Sequence, residues 1–110
     1  MAGKWFEEFV VGQVFEHEIR RTITESDNIT FTTATHNPAA IHLDAEYCKT
    51  TEFGKPLINS IFTLGLVIGL SVQDTTLGTT VANLGMTDTR FPAPVFAGDT
   101  IRARTTVKEI

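Results

Sequence analysis

The chain has 110 residues, 42% of them hydrophobic and 20% charged, with a net charge of −4, three histidines and one cysteine. That describes one globular domain with a single core and a radius of gyration of about 13 Å. It is too apolar for a disordered chain and lacks the clustered basic surface that nucleic acid requires.

Cys48 has no partner for an internal disulfide and fits a reducing, cytoplasmic setting. The start, Met1 to Glu8, lacks the apolar centre of a signal peptide. The most apolar stretch, Leu57 to Val72, contains Asn59, Ser60 and Thr63. It falls short of the roughly 20 residues a membrane span needs, so no membrane partner is expected.

Val14 to Ile23 alternates as a half-buried strand, with Phe15, His17, Ile19, Arg21 and Ile23 on one face. His17 has no motif partner and reads as a structural or partly exposed histidine. Thr24-Glu25-Ser26-Asp27 has the form of a helix start. The next residues, Asn28 to Thr33, alternate like a strand, and periodicity leaves both options open. Asn37-Pro38 ends whatever precedes it. Asp44 to Lys49 reads as a short helix capped by Asp44, and Phe53 to Pro56 as a turn.

Asn59 or Ser60 can cap a helix running to about Gln73 that is apolar almost all round, which predicts burial on most sides. Gly65 and Gly69 share one face of it and suggest close approach of another backbone. Thr79 to Phe91 reads as a second strand, Ala97-Gly98-Asp99 as a turn, and Ile101 to Ile110 as a third strand. In that third strand Ile101, Ala103, Thr105 and Val107 face one way. The order predicts an α+β domain, an antiparallel sheet wrapped around one helix.

Chemistry concentrates in Ala34 to Asp44, which holds His36, Asn37, His42 and Asp44. The two histidines lack metal-ligand spacing and companions, so neither a metal nor a cofactor is expected. His42 suits general acid–base work, since imidazole titrates near neutral pH; the competing reading is that His42 and Asp44 merely cap the next helix. At Ile58-Asn59-Ser60-Ile61 the helix start offers amides to a developing oxyanion, as every helix start does.

Three segments taken together resemble the MaoC-like dehydratases, including the (R)-specific enoyl-CoA hydratases and mesaconyl-CoA hydratase-like members. They are Asn37-Pro38-Ala39-Ala40-Ile41-His42-Leu43-Asp44, Phe53-Gly54-Lys55-Pro56-Leu57-Ile58-Asn59-Ser60, and Arg90-Phe91-Pro92-Ala93-Pro94-Val95-Phe96-Ala97-Gly98-Asp99-Thr100. The resemblance implies a hot-dog fold, with 1–110 forming one domain around a central helix at Ser60 to Gln73. It also implies a helix over Asn28 to Thr35. Family domains run on past the strand that ends at Ile110, so by this comparison the domain is short on its C-terminal side by about 30 to 40 residues.

The implied reaction is reversible hydration of a 2-enoyl-CoA thioester, linear or branched. His42 exchanges the proton, Asn37 positions water, and the Ser60 amide polarises the thioester carbonyl. Asn59, Ile61 and Leu64 lie along the substrate. The family motif carries Asp where this chain has Asn37, or Thr35 in a gapped alignment, and Gly where it has Ser60. An amide cannot take a proton at neutral pH, whereas a backbone amide survives a change of side chain. Two alternatives follow: a non-catalytic hot-dog subunit supporting an active partner, or an acyl-CoA thioesterase using Asp44, Glu46 or Glu52. An acyl-CoA substrate and a homodimer or higher oligomer are the expected partners.

Overall fold

A ribbon of two antiparallel segments carries the first and last parts of the chain in the computed structural model, which describes residues 3–110. β1 (Val14–Glu16) pairs with β4 (Arg104–Thr106), and β2 (Arg21–Thr22) pairs with β3 (Thr100–Ile101). The His17 amide donates to the Ala103 carbonyl at 3.2 Å and so joins the two pieces. Between them, the five-residue step from Glu16 to Arg21 runs opposite a three-residue step from Arg104 to Ile101. The surplus on the first strand is a bulge. It explains a departure from the alternation: Phe15, His17 and Ile23 turn inward, but Ile19 and Arg21 are exposed. In the partner strand Ile101, Ala103, Thr105 and Val107 do share the inner face.

α1 (Glu25–Ala34) begins in a capping box. Thr24 Oγ1 accepts from the Asp27 amide, and Asp27 Oδ2 accepts from the Thr24 amide. The helix alternative for Asn28 to Thr33 is therefore the observed one. Periodicity could not choose it because the buried face of α1 is polar: Asn28 and Thr32 are buried while Ile29 is exposed. The helix ends in a Schellman motif. The Asn37 amide donates to Thr32 O and the His36 amide to Thr33 O, both at 3.0 Å, with His36 in the left-handed region at φ 59°. α2 (Ala40–Leu43) and α3 (Ala45–Cys48) follow, and Asp44 Oδ1 caps α3 at the Tyr47 amide.

α4 (Ser60–Thr75) is the long helix, with Asn59 as its cap. Its last turn is fixed to the ribbon by His17, which is 2% exposed. His17 Nδ1 lies 2.7 Å from Asp74 Oδ2, and Nε2 lies 2.7 Å from Thr105 Oγ1. Its near-isolation in sequence concealed a partner 57 residues away. Near the other end, Phe62 meets Phe31 of α1 edge to face at 5.7 Å, and the Ile58 amide, just ahead of α4, donates to Val95 O.

Three expectations are corrected. α4 is not enclosed: Ile61 and Ile68 are exposed, and most of its other apolar residues are half-buried. Gly65 and Gly69 meet no other backbone among the described residues, because nothing outside the helix's own backbone lies within 4 Å of a Cβ built on either. Thr79 to Phe91 alternates without forming a strand, because no second strand pairs with it among the described residues. Val81 and Leu84 there are each 99% exposed. The radius of gyration is accordingly 16.4 Å, above the value for a compact chain, with a longest dimension of 52 Å.

Candidate active site

His42 sits in the single turn of α2, and its own carbonyl is held by α1. Asn28 Nδ2 donates to the His42 carbonyl at 2.9 Å and to the Leu57 carbonyl at 3.2 Å. Asn28 Oδ1 accepts from the Asn59 amide at 2.9 Å, and Asn59 Nδ2 donates to Thr32 Oγ1 at 3.3 Å. This buried amide–hydroxyl network ties α1, the His42 turn and the start of α4 into one unit. Sequence reasoning missed it. Its only signal was Asn28 and Thr32 four residues apart, one helical turn, once the segment is known to be a helix.

The His42 ring is fixed as well. Nδ1 lies 2.7 Å from the Leu57 carbonyl oxygen. A carbonyl only accepts, so Nδ1 carries the proton and the neutral ring keeps its lone pair on Nε2. His42 does not cap a helix; that task falls to Asp44 alone. His42 lines a cavity of about 110 Å³ with Glu25, Asn28, Ile29, Leu43 and Pro56. Glu25 is a carboxylate that the sequence reading took only for a helix-start acid.

Asn37 is half-buried, and its Oδ1 accepts from the Ala39 amide at 2.9 Å, which shapes the loop leading to His42. His36 is exposed and occupied with ending α1.

Ser60 opens α4 and lines a second, larger cavity of about 280 Å³. Phe53, Leu57, Ile58, Phe91, Pro94 and Val95 contribute most of its apolar wall. The Ile61 amide is taken by Asn59 Oδ1 at 3.0 Å and the Thr63 amide by the Asn59 carbonyl at 3.2 Å, leaving the Ser60 N–H outside these bonds. Thr63, not Asn59, Ile61 or Leu64, joins Ser60 on this wall. Thr63 lies three residues after Ser60 and shares its face, and Ile61 is turned about 100° away from it; Leu64, although one turn from Ser60, is not part of this wall. Asn59 serves as cap and network member. His42 and Ser60 line two different cavities, with Pro56 on the wall of the first and Leu57 and Ile58 on the wall of the second; a further cavity between Glu25, Asn28, Pro56 and Ile58 shares residues with both. Leu57 touches both sites, through its carbonyl to His42 and as part of the second cavity's lining.

Asp44 is engaged as a cap, and Glu46 pairs with Lys49 at 2.9 Å on an exposed surface. Neither Asp44, Glu46 nor Glu52 lines either cavity.

Comparison with known proteins places this geometry. Residues 7–110 match the family described as MaoC like domain, and the chain belongs to that family. Its fold is the hot dog of that family: over 99% of this chain it superposes, with a TM-score of 0.85 and 35% identity, on 74% of a solved monoamine oxidase regulatory protein from Archaeoglobus. It is 30% identical over 106 residues to a mesaconyl-CoA hydratase of Cereibacter sphaeroides, covering 96% of this chain and 31% of that protein. It is 33% identical over 99 residues to a beta-methylmalyl-CoA dehydratase of Chloroflexus aurantiacus, covering 90% of this chain and 28% of that one. The chain therefore spans about a third of the length of these curated relatives. Among the described residues, no helix is long and apolar enough to cross a membrane.

Proposed function

We propose that the chain catalyses reversible hydration of a 2-enoyl-CoA thioester, with His42 exchanging the proton and the Ser60 amide polarising the thioester carbonyl. The observation that carries this reading is the fixed His42 ring, with Nδ1 on the Leu57 carbonyl at 2.7 Å. That bond orients the imidazole and leaves Nε2 to give or take a proton. The transition state builds enolate character on the thioester oxygen, which an amide at the first turn of α4 would stabilise. Asn37 holds the loop and positions water. Two relatives named for mesaconyl-CoA and beta-methylmalyl-CoA support an acyl-CoA thioester as the substrate class. The working form is an assembly of at least two copies.

The test is hydration of crotonyl-CoA and mesaconyl-CoA by purified protein. His42→Ala should lower turnover by about 10² to 10⁴, the range for a positioned proton-transfer group.

A second reading, a non-catalytic subunit supporting an active partner, is favoured by one observation. The motif position holds an amide, Asn37, whose oxygen is already bonded to Ala39. A wild type inert with both substrates, together with measurable turnover in Asn37→Asp, would establish it in place of the hydratase.

A further inference from the structure

The carboxylate missing at Asn37 has a candidate substitute on another element. We infer that Glu25, the first residue of α1, is the second acid–base group, facing His42 across their shared cavity. The inference rests on the hydratase reading.

Placement comes from α1. Asn28 bonds the His42 carbonyl at 2.9 Å, which sets that face of the helix against the His42 turn. Glu25 lies three residues earlier, so it projects from the same face. Glu25 and Asn28 both line the His42 cavity, Glu25 from the solvent-exposed start of the helix. The backbone at Glu25 is rigidly held, with the Thr24–Asp27 capping box around it. Arg21 of β2 clamps Asp27 through two hydrogen bonds of 2.7 and 2.8 Å. No such arrangement serves the other candidate carboxylates. Asp44 caps α3, Glu46 is paired with Lys49, and none of Asp44, Glu46 and Glu52 touches this cavity.

The chemistry balances with these two groups alone. In the hydration direction the Glu25 carboxylate accepts a proton from water while the water oxygen bonds to carbon 3 of the enoyl thioester. The electron pair of the carbon 2–carbon 3 double bond moves toward the thioester oxygen. Protonated His42, a donor at both ring nitrogens, then delivers its Nε2 proton to carbon 2. One water has been added, and passage of the proton from Glu25 back to His42 through solvent restores the starting state. Nδ1 keeps its bond to Leu57 throughout, so the ring need not turn. Asn37 is left to shape the loop that carries His42, through its bond to the Ala39 amide.

The experiment is steady-state kinetics of Glu25→Gln, which keeps size and shape but removes the base. Turnover should fall by about 10² to 10⁴ with KM little changed. The acidic limb of the pH–rate profile should flatten, which loss of a purely structural glutamate would not produce. Glu46→Gln, outside both cavities, is the control and should retain full activity. A melting temperature matching wild type shows that Glu25→Gln is folded; if it is not, Glu25→Asp, which keeps the charge and retracts it, should show reduced turnover with the acidic limb intact. An active wild type with Glu25→Gln within about twofold of it overturns this assignment and leaves the hydratase reading standing. A wild type inert with every enoyl thioester overturns both.

Discussion

Asp27 shows how much one side chain can organise. It closes the capping box of α1 and receives two hydrogen bonds from Arg21 of β2, so it joins strand to helix. Arg21, with the Thr24 bonds adding to it, brings the Asp27 pKa down from 3.8 to about 2. A carboxyl whose pKa is lower in the folded state stabilises the fold above its unfolded value and loses that contribution as pH falls through its folded value. The stability advantage of wild type over Asp27→Asn should therefore shrink between about pH 4 and about pH 2, measured by denaturant melts. A constant difference across that window would show that the ion pair is not linked to folding. Caps such as Thr24, Asp44 and Asn59 were legible in the sequence because a cap bonds a residue two or three positions away. Asn28 was not, because its partners lie 14, 29 and 31 residues along the chain. The same distance rule hid Asp74 from His17.

At the level of elements, sequence pattern identified what each segment prefers but not what it meets. α4 was located within two residues of its end, because its cap and apolar run are local features. Its surroundings were misjudged, since hydropathy measures the tendency to be covered and names no neighbour. Thr79 to Phe91 failed for a related reason: strand propensity expresses fit to a pleated surface, and a strand exists only with a partner to hydrogen-bond. The two glycines of α4 make the point testable. Open space at Gly65 and Gly69, and the absence of a left-handed φ at either, leave only their conformational cost. Gly65→Ala and Gly69→Ala should each raise stability by about 0.4–1 kcal/mol in urea melts of the dissociated chain. A loss of stability there would mean that another backbone does approach this face.

For the whole molecule, the informative quantity is surface. A compact protein of this mass would expose about 6,000 Å²; this chain exposes 7852 Å². Exposed apolar groups are spread over the N-terminal segment at Trp5, Phe6, Val10 and Val11, the α4 face at Ile61 and Ile68, and the extended segment at Val81, Leu84 and Met86. Among the described residues few buried apolar residues balance them, namely Ile23, Cys48, Ile58 and Ala103. A standard stable interface takes about 800 Å² from each partner, so the excess is ample for one. The proposed second copy is the occupant that the family reading supplies, and the unpaired segment around Val81 and Leu84 is the most exposed place for it to add a strand. Sedimentation at micromolar concentration should show at least a dimer. Val81→Glu with Leu84→Glu places charge where that contact would close, and should shift the protein toward monomer without disturbing the ribbon or the His42 turn. A wild-type monomer at that concentration, or a double variant that associates as wild type does, would remove this segment from the assembly.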